Sequence, residues 1–232
     1  MRVLVRQFLA LAVALTFGLV STAALSLEVW FVRHAESEFN VVDGPLPVPD
    51  DGVSYPLTQQ GVRQAAALSA SFVGVSVDYL YSSTRLRTLQ TADAISFQTG
   101  LPVRLAPELV EISFGEAPDL SKDAFPILYE WKAGNADARA SDGGESLYDL
   151  RARFLPFWDE LLERHSYENG LLIIVTHGGV LAFMLPELCD EVSTDYTMAN
   201  LVGNAGIVRT IVEDGQLTCI DWSGDQLVER SK

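Results

Sequence analysis

The chain contains 232 residues, with 16 lysines and arginines against 31 aspartates and glutamates, so its formal net charge at pH 7 is −15. Such an acidic surface disfavours nucleic acid and anionic membranes as partners, because both are themselves negatively charged. The three histidines and two cysteines are scattered, without a CxxC pair or zinc-type spacing, and the sequence therefore predicts no metal site.

The N-terminal segment has the composition of a secretory signal. "MRVLVRQ" is positively charged, "FLALAVALTFGLV" is apolar, and Thr22 and Ala24 stand where a signal peptidase requires small residues. We therefore expect residues 1–24 to be a cleaved signal peptide, and the mature protein, residues 25–232, to be secreted or periplasmic. The alternative is an uncleaved membrane anchor, because the apolar segment is just long enough to cross a bilayer.

Beyond this segment, apolar stretches of strand and helix length alternate along the chain. This alternation predicts an α/β fold in one domain, a three-layer sandwich whose mainly parallel, doubly wound sheet is covered by helices on both faces. "LLIIV" is apolar throughout, as expected of a strand buried on both faces. In chain order, we predict a strand over 27–32, a helix over 58–72, a strand over 77–82, a helix over 86–99, a short strand near Val103, an irregular stretch over 111–140 with room for a short helix, a long helix after "GGES", a strand over 171–175, a helix after "THGG" and a hairpin formed by "IVRTIV" and "LTCIDW".

Sequence spacing leaves two features of this fold open. The proline-rich loop over 41–56 follows the first strand closely, and both a functional loop and a solvated insertion fit its composition. Cys189 and Cys219 are free to pair in an exported protein, but their spacing does not establish that they meet.

Two of the three histidines follow predicted central strands. His34 comes directly after "LEVWFVR", and His177 comes directly after "LLIIVT". Because ligands of open parallel sheets bind beyond the carboxyl ends of the strands, we expect these two side chains to share a cleft. His165 ends a helical pattern instead and is interpreted as a surface residue, where the helix dipole favours a cation.

Charged residues near the other strand ends supply candidates for binding an anion. Arg85 and Arg87 lie in "YSSTRLRTLQTA", where a strand gives way to a helix, and an arginine in the first turn of a helix indicates a bound anion. Arg33, Arg87 and the amides of the helix start are predicted to hold a phosphate through charge-assisted contacts. Arg85 fits a solvated position better. Glu111, after a short strand, fits an ordinary surface carboxylate as well as a catalytic one.

Six sequence blocks together resemble one known family. "RHAESEFN", "PLTQQGVRQA", "SSTRLRTLQTA", "ELVEISFG", "GGESLYDL" and "VTHGG" occur in the order and spacing of the histidine phosphatase superfamily. They span about residues 27 to 180, and the sequence is similar to the branch that contains the phosphoglycerate mutases. The resemblance implies a histidine phosphatase fold and a small phosphorylated molecule as substrate.

The resemblance also implies a role for each candidate residue. His34 would attack the phosphorus and form a phosphohistidine. Arg33, Arg87 and His177 would hold the transferring oxygens, with an added hydrogen bond from Asn40. Glu111 would protonate the leaving oxygen and later take a proton from water. No metal and no cofactor are implied, because the arginines neutralise the phosphate.

A metal-independent phosphomonoesterase is the predicted activity, and two alternatives are kept. "GGESLYDLRARFLPFW" is similar to phosphoglycerate mutases, so phosphoryl transfer of the mutase type is one of them. However, "VEISFGEAPDL" lacks both the Glu-Arg-His-Tyr-Gly typical of mutases and the Trp-Glu-Gly common in phosphatase relatives, and an exported protein has little use for a glycolytic mutase. The second alternative is a catalytically inactive phosphate-binding module, which would be expected to have lost at least one of the site residues.

Overall fold

The computed structural model of the protein describes residues 26–41, 55–116, 125–165 and 169–228. The predicted signal peptide lies outside these described residues, as do positions 42–54 of the proline-rich loop. Within the described part of the chain, no helix combines the length and the apolar character that crossing a membrane requires.

One sheet contains the strands of the described chain: β1 (Leu27–Arg33), β2 (Tyr79–Ser82), β3 (Val103–Leu105), β4 (Gly170–Thr176), β5 (Ile207–Glu213), β6 (Gln216–Trp222) and β7 (Asp225–Gln226). The order across the sheet is β3-β2-β4-β1-β5-β6-β7. The first four of these run parallel to one another, and β5, β6 and β7 continue the sheet in antiparallel pairs. The predicted fold class is confirmed, and the predicted C-terminal hairpin belongs to the same sheet.

The helices of the described chain are α1 (Glu38–Val41), α2 (Gln59–Ala70), α3 (Leu86–Thr99), α4 (Pro126–Lys132), α5 (Leu147–His165), α6 (Gly178–Leu188) and α7 (Thr194–Ala199), with a 3₁₀ turn at Pro107–Leu109. The predicted helices correspond to α2, α3, α5 and α6, and α4 lies in the stretch that left room for a short helix. The sequence analysis missed α1 and α7, because one or two turns carry too little hydrophobic periodicity to be recognised.

Burial on both faces of the sheet explains the uninterrupted apolar sequence of β4. Leu172 and Ile174 belong to the core that also contains the apolar sides of α5 and α6. Ile173 and Val175 belong to a second core, which they share with α2 and α3. Since successive side chains of a strand point to opposite faces, β4 needs an apolar residue at every position.

Helix α2 fixes the loop that follows β1. A Cβ atom at Gly61 would lie 1.8 Å from the Glu36 carbonyl oxygen, so only glycine lets the helix approach this loop so closely. The N-cap residue Thr58 accepts a hydrogen bond from the Gly61 amide at 2.9 Å, and the Thr58 hydroxyl donates to the Glu36 carboxylate at 2.6 Å. The "PLTQQG" block therefore anchors the backbone immediately after His34.

The interpretation of His165 as a surface residue is wrong. Only 1% of this residue is exposed, its Nε2 lies 3.1 Å from the Tyr81 hydroxyl, and its ring centroid lies 4.2 Å from that of Tyr79. The last turn of α5 faces the sheet, so His165 packs inward while the neighbouring Arg164 side chain stays half exposed. Helical periodicity at the end of α5 did not reveal this contact, because both tyrosines come from the distant strand β2.

A disulfide joins Cys189 to Cys219, with the two Cα atoms 5.7 Å apart. It connects the C-terminal end of α6 to β6, and the same two sulfurs lie near Glu191. In the described chain, Cys189, Glu191 and Cys219 form the one group whose potential ligand atoms lie close enough together to hold a metal ion. Both sulfur atoms are already joined to each other in the disulfide. The bond therefore ties α6, whose N-terminal end reaches His177, to the antiparallel part of the sheet.

Removing this bond should lower the stability of the protein. A cross-link that closes a loop of 30 residues reduces the entropy of the unfolded chain, so the Cys189→Ala/Cys219→Ala variant should lose about 3–4 kcal/mol of unfolding free energy. Urea denaturation of the wild type and the variant measures the loss. Reductant should shift the wild-type midpoint and leave that of the variant unchanged, whereas equal midpoints for both proteins without reductant would contradict the expectation.

Candidate active site

The parallel pairing of β1 with β4 brings two histidines together at the carboxyl ends of these strands. Arg33 stands opposite Thr176 in the register, and the His34 amide donates to the Thr176 carbonyl at 3.0 Å. His34 follows β1 directly, and His177 follows β4 directly. Their ring centroids lie 5.2 Å apart in an edge-to-face arrangement. Both rings are buried, with exposures of 2% and 0%.

His34 is held as a neutral imidazole with a defined tautomer. Its Nδ1 lies 2.8 Å from the Ala35 carbonyl oxygen, which only accepts hydrogen bonds, so Nδ1 carries the proton. The remaining ring nitrogen, Nε2, therefore keeps its lone pair. Burial, together with the positive charges of Arg87 and Arg33, lowers the pKa of His34 to about 3, so the ring is unprotonated at neutral pH.

His177 is also neutral, and it has one unused polar atom. Burial lowers its pKa well below the usual value, and the charges of Arg87 and Arg85 and the proximity of His34 add to this effect. The Ser83 hydroxyl lies 2.8 Å from Nε2, while Nδ1 is buried and has no hydrogen-bond partner among the described residues. When the Ser83 hydroxyl donates to Nε2, Nδ1 carries the ring proton and becomes a buried donor that lacks an acceptor.

Two guanidinium groups lie beside His34. Arg33 is the last residue of β1, and its Nη1 donates to the Val202 carbonyl at 2.6 Å, while its Nε is buried without a hydrogen-bond partner in the described chain. Burial lowers the pKa of Arg33, and the Glu111 carboxylate partly offsets this effect. Arg87 is the second residue of α3, is only 1% exposed and stacks over the Phe39 ring at 5.1 Å. Both arginines line the same cavity as His34.

Arg85 occupies a different position from the one predicted. It is the N-cap residue of α3, it is partly buried rather than fully solvated, and its Nε is shielded from solvent. Its charge contributes to the lowered pKa of His177. Arg85 does not, however, belong to the residues that line the cavity, whereas Arg87 does.

Glu111 lies at the N-terminal end of α6, not on the open surface. One carboxylate oxygen accepts from the Ile112 amide at 3.0 Å and the other accepts from the Gly179 amide at 3.2 Å. A Cβ atom at Gly179 would lie 2.6 Å from the Glu111 carboxylate, and one at Gly178 would lie 3.2 Å from Arg33 Nε. The glycine pair of "THGG" therefore lets a carboxylate and a guanidinium approach the start of α6.

An ion pair that the sequence analysis missed holds the Glu111 segment in place. Arg153 of α5 donates from Nε to one Glu145 oxygen at 2.7 Å and from Nη1 to the Glu108 carbonyl at 2.5 Å. The other Glu145 oxygen accepts from the Ser113 amide at 3.0 Å. Each side chain of this pair is 18% exposed, so it lies largely out of solvent. Together, Glu145 and Arg153 fasten the backbone on both sides of Glu111.

Asn40 lies at the mouth of the same cavity. Its side-chain oxygen accepts from the Ser37 amide at 3.0 Å and from the Asn204 side chain at 3.2 Å. The oxygen thus faces the protein, and the amide nitrogen is left as a donor. The cavity has a volume of about 170 Å³, and Arg33, His34, Asn40, Arg87 and Glu111 line it. His177 is not among the lining residues, and its ring lies beside that of His34.

Ser83, whose hydroxyl lies against His177 Nε2, was not predicted as part of the site. It stands in "YSSTRLRTLQTA", two residues before Arg85. A short run of hydroxyl side chains directly after a buried strand was the available signal, because such residues lie at the same sheet edge as His34 and His177.

Comparisons with known proteins identify the family of this chain. The family model described as "Histidine phosphatase superfamily (branch 1)" matches residues 29–225. The adenosylcobalamin/alpha-ribazole phosphatase of Escherichia coli (strain K12) is 30% identical over 172 residues, which cover 70% of this chain and 79% of that protein. The 2,3-bisphosphoglycerate-dependent phosphoglycerate mutase of Rhizobium etli is 31% identical over 163 residues, which cover 65% of this chain and 74% of that protein.

A solved structure supports the fold. A mutant phosphoserine phosphatase from Entamoeba histolytica, in complex with phosphoserine, superposes with a TM-score of 0.69 at 24% sequence identity, covering 88% of this chain and 100% of that chain. At 24% identity this likeness establishes the fold alone. The chain belongs to branch 1 of the histidine phosphatase superfamily.

Proposed function

We propose that the protein is a phosphomonoesterase that transfers a phosphoryl group first to His34 and then to water. The observation that carries the proposal is the state of His34: a buried, neutral imidazole whose Nδ1 is bonded to a backbone carbonyl, leaving Nε2 with its lone pair beside two guanidinium groups. An imidazole in this state is a nucleophile, and the guanidinium groups match the charge of a phosphate.

In the first step, Nε2 of His34 attacks the phosphorus and the bond between phosphorus and the leaving oxygen breaks. Arg33, Arg87 and the His177 Nδ1–H hold the three equatorial oxygens, where positioned positive charge stabilises the transition state. Asn40 adds a hydrogen bond from its amide nitrogen. Glu111, in its protonated form, gives its proton to the leaving oxygen, so the alcohol departs neutral and the enzyme holds a phosphohistidine.

In the second step, the Glu111 carboxylate takes a proton from a water molecule as that water attacks the phosphorus. The phosphorus–nitrogen bond breaks, inorganic phosphate leaves, and His34 returns to its neutral form with Glu111 protonated again. The hydrogen bonds from the Ile112 and Gly179 amides hold the Glu111 carboxylate in one position, which supports its use in both steps. Apart from the substrate and water, the proposed reaction involves only side chains of this protein.

Mutase-type transfer is the second candidate, because a phosphoglycerate mutase is among the relatives. A mutase returns the phosphoryl group to a bound sugar acid, whereas a phosphatase passes it to water. Assaying 3-phosphoglycerate for both isomerisation and phosphate release separates the two activities. Isomerisation faster than phosphate release would favour the mutase, and binding of phosphate without either reaction would favour an inactive module.

We further propose that residues 1–24 are removed and that the mature protein is secreted or periplasmic. The Cys189–Cys219 disulfide supports this proposal, because such bonds form and persist in oxidising compartments. N-terminal sequencing of protein recovered from its native compartment should find a chain that begins near Leu25. A membrane-bound product that retains "MRVLVRQ" would instead favour the uncleaved anchor.

The phosphohistidine should be trapped by replacing Glu111 with glutamine. This variant lacks proton transfer in both steps, but p-nitrophenyl phosphate has a good leaving group and needs little help in the first. Phosphoenzyme should therefore accumulate, and quenched samples should carry a base-stable, acid-labile phosphate on the peptide that contains "HAESEFN". The Glu111→Gln/His34→Ala variant should remain unlabelled. A label on His177, or an acid-stable phosphoserine at Ser37, would contradict the mechanism.

The two arginines of α3 should differ sharply in their effect on rate. Arg87→Ala removes a charge-assisted contact that strengthens as charge develops on the phosphoryl oxygens, so it should raise the barrier by about 2–4 kcal/mol. Arg85→Ala should cost far less, because Arg85 lies outside the cavity lining. Steady-state kcat and KM of both variants, with circular dichroism as a folding check, measure the difference. Equal losses would show that the choice of Arg87 is wrong.

A further inference from the structure

The cavity at His34 is polar at one end and apolar over the rest of its wall. Beyond the residues that surround the phosphoryl position, it is lined by Phe114, Phe125, Leu128, Phe183, Met198 and Leu201, among other apolar residues. These six side chains come from four separate parts of the chain: the segment after Glu111, α4, α6 and the region of α7. The apolar wall is thus a feature of the assembled site and not of one hydrophobic segment.

The position of Glu111 determines which part of a substrate meets this wall. Glu111 protonates the leaving oxygen in the proposed reaction, so the alcohol part of the substrate begins beside it. Ile112 and Phe114 follow Glu111 directly, and the Phe114 ring packs edge-on against Phe125 with centroids 5.8 Å apart. A substrate with its phosphorus at His34 therefore places its alcohol part against this wall.

The charges in the cavity are concentrated at the phosphoryl end. Among the described residues that line the cavity, Arg33 and Arg87 are the only cations, and both lie close enough to His34 to lower its pKa. A carboxylate on the alcohol part would lose water against apolar side chains and find no described cation there to pair with. An apolar alcohol part would gain from the same contact, because its surface leaves water.

The rim of the cavity has the same character. Two of its lining residues reach the surface, because Phe125 is 41% exposed and Leu201 is 55% exposed. A ligand whose apolar part extends from the cavity would cover both. The volume of about 170 Å³ is many times what one water molecule occupies, so the cavity has room for more than a phosphoryl group.

We propose that the enzyme selects phosphomonoesters whose alcohol part is apolar, aliphatic or aromatic, and discriminates against those that carry a carboxylate. This inference rests on the proposed phosphatase activity and adds the class of its substrate. Phosphoglycerates carry a carboxylate, so the inference predicts that they are poor substrates of this site. The mutase reaction, which uses them, should therefore be slow.

A pair of isosteric substrates tests the proposal. 3-Methylbutyl phosphate and 3-(phosphonooxy)propanoate share the same primary-alcohol linkage and differ in whether an isopropyl group or a carboxylate ends the chain. We expect kcat/KM for the methylbutyl ester to be larger by on the order of 100-fold, since a carboxylate buried there would lose water without a described cation to pair with. p-Nitrophenyl phosphate serves as the reference for phosphatase activity as such.

A charge placed in the wall should reverse this preference. Leu128→Lys puts a cation among the apolar residues of the cavity and should raise kcat/KM for the propanoate ester while lowering it for the methylbutyl ester. Tyr129→Lys is the matched control, because it adds the same charge at the next position of α4 on a side chain that is 65% exposed and outside the cavity lining. Its substrate preference should equal that of the wild type.

The outcomes separate the two proposals. If p-nitrophenyl phosphate and the propanoate ester are both hydrolysed, and the methylbutyl ester is no better than the propanoate, the substrate inference is overturned and the phosphatase activity stands. If none of the three esters is hydrolysed by the correctly folded protein, the proposed function fails and the inference fails with it. A Tyr129→Lys variant that changes preference as strongly as Leu128→Lys would also overturn the inference, because general electrostatics would then explain the effect.

Discussion

The parallel pairing of β1 with β4 is the constraint on which the rest of the site depends. The register that sets Arg33 opposite Thr176 places His34 and His177 at the same level of the sheet edge. A slip of one residue would turn the side chains of one strand to the opposite face, and the two imidazoles would no longer meet. The alternation along β1 opposes such a slip, because Leu27, Val29 and Phe31 are buried in the core while Glu28 and Trp30 between them are only partly buried. The core of the fold therefore sets the distance between the two rings.

The site concentrates positive charge where solvent is excluded. Arg87 is almost fully buried, Arg33 is half-buried, and the two imidazoles beside them are neutral because protonating either would add a further buried cation. A buried charge is costly unless a partner offsets it. Glu111 provides one negative charge at the edge of the group, and a bound phosphate would add more. The same electrostatics that keep His34 unprotonated thus favour an anionic ligand over an empty site.

Local sequence patterns predicted the parts of this structure that depend on neighbours along the chain. Alternating and continuous apolar runs located the main strands and helices, and the position of His34 and His177 directly after strands indicated a shared cleft. Contacts between distant segments were not predictable in this way. Glu145 and Ser113 are 32 residues apart, Arg153 and Glu108 are 45 apart, and His165 is buried by tyrosines from β2. No periodicity in the sequence relates such distant partners, so neither these contacts nor the burial of His165 could be predicted from it.

The residues around the phosphoryl position and the residues of the apolar wall come from different kinds of segment. The groups around the phosphoryl position come from short blocks fixed to strand ends and helix starts, where the glycines at 178 and 179 leave space for Arg33 and Glu111. The apolar wall instead draws on the segment after Glu111 and on the short helices α4 and α7, which contribute little to the central sheet. Changes in these elements can alter the wall without disturbing the β1–β4 register. Substitutions in the wall are therefore expected to change the substrate preference of this protein without displacing His34, Arg87 or His177.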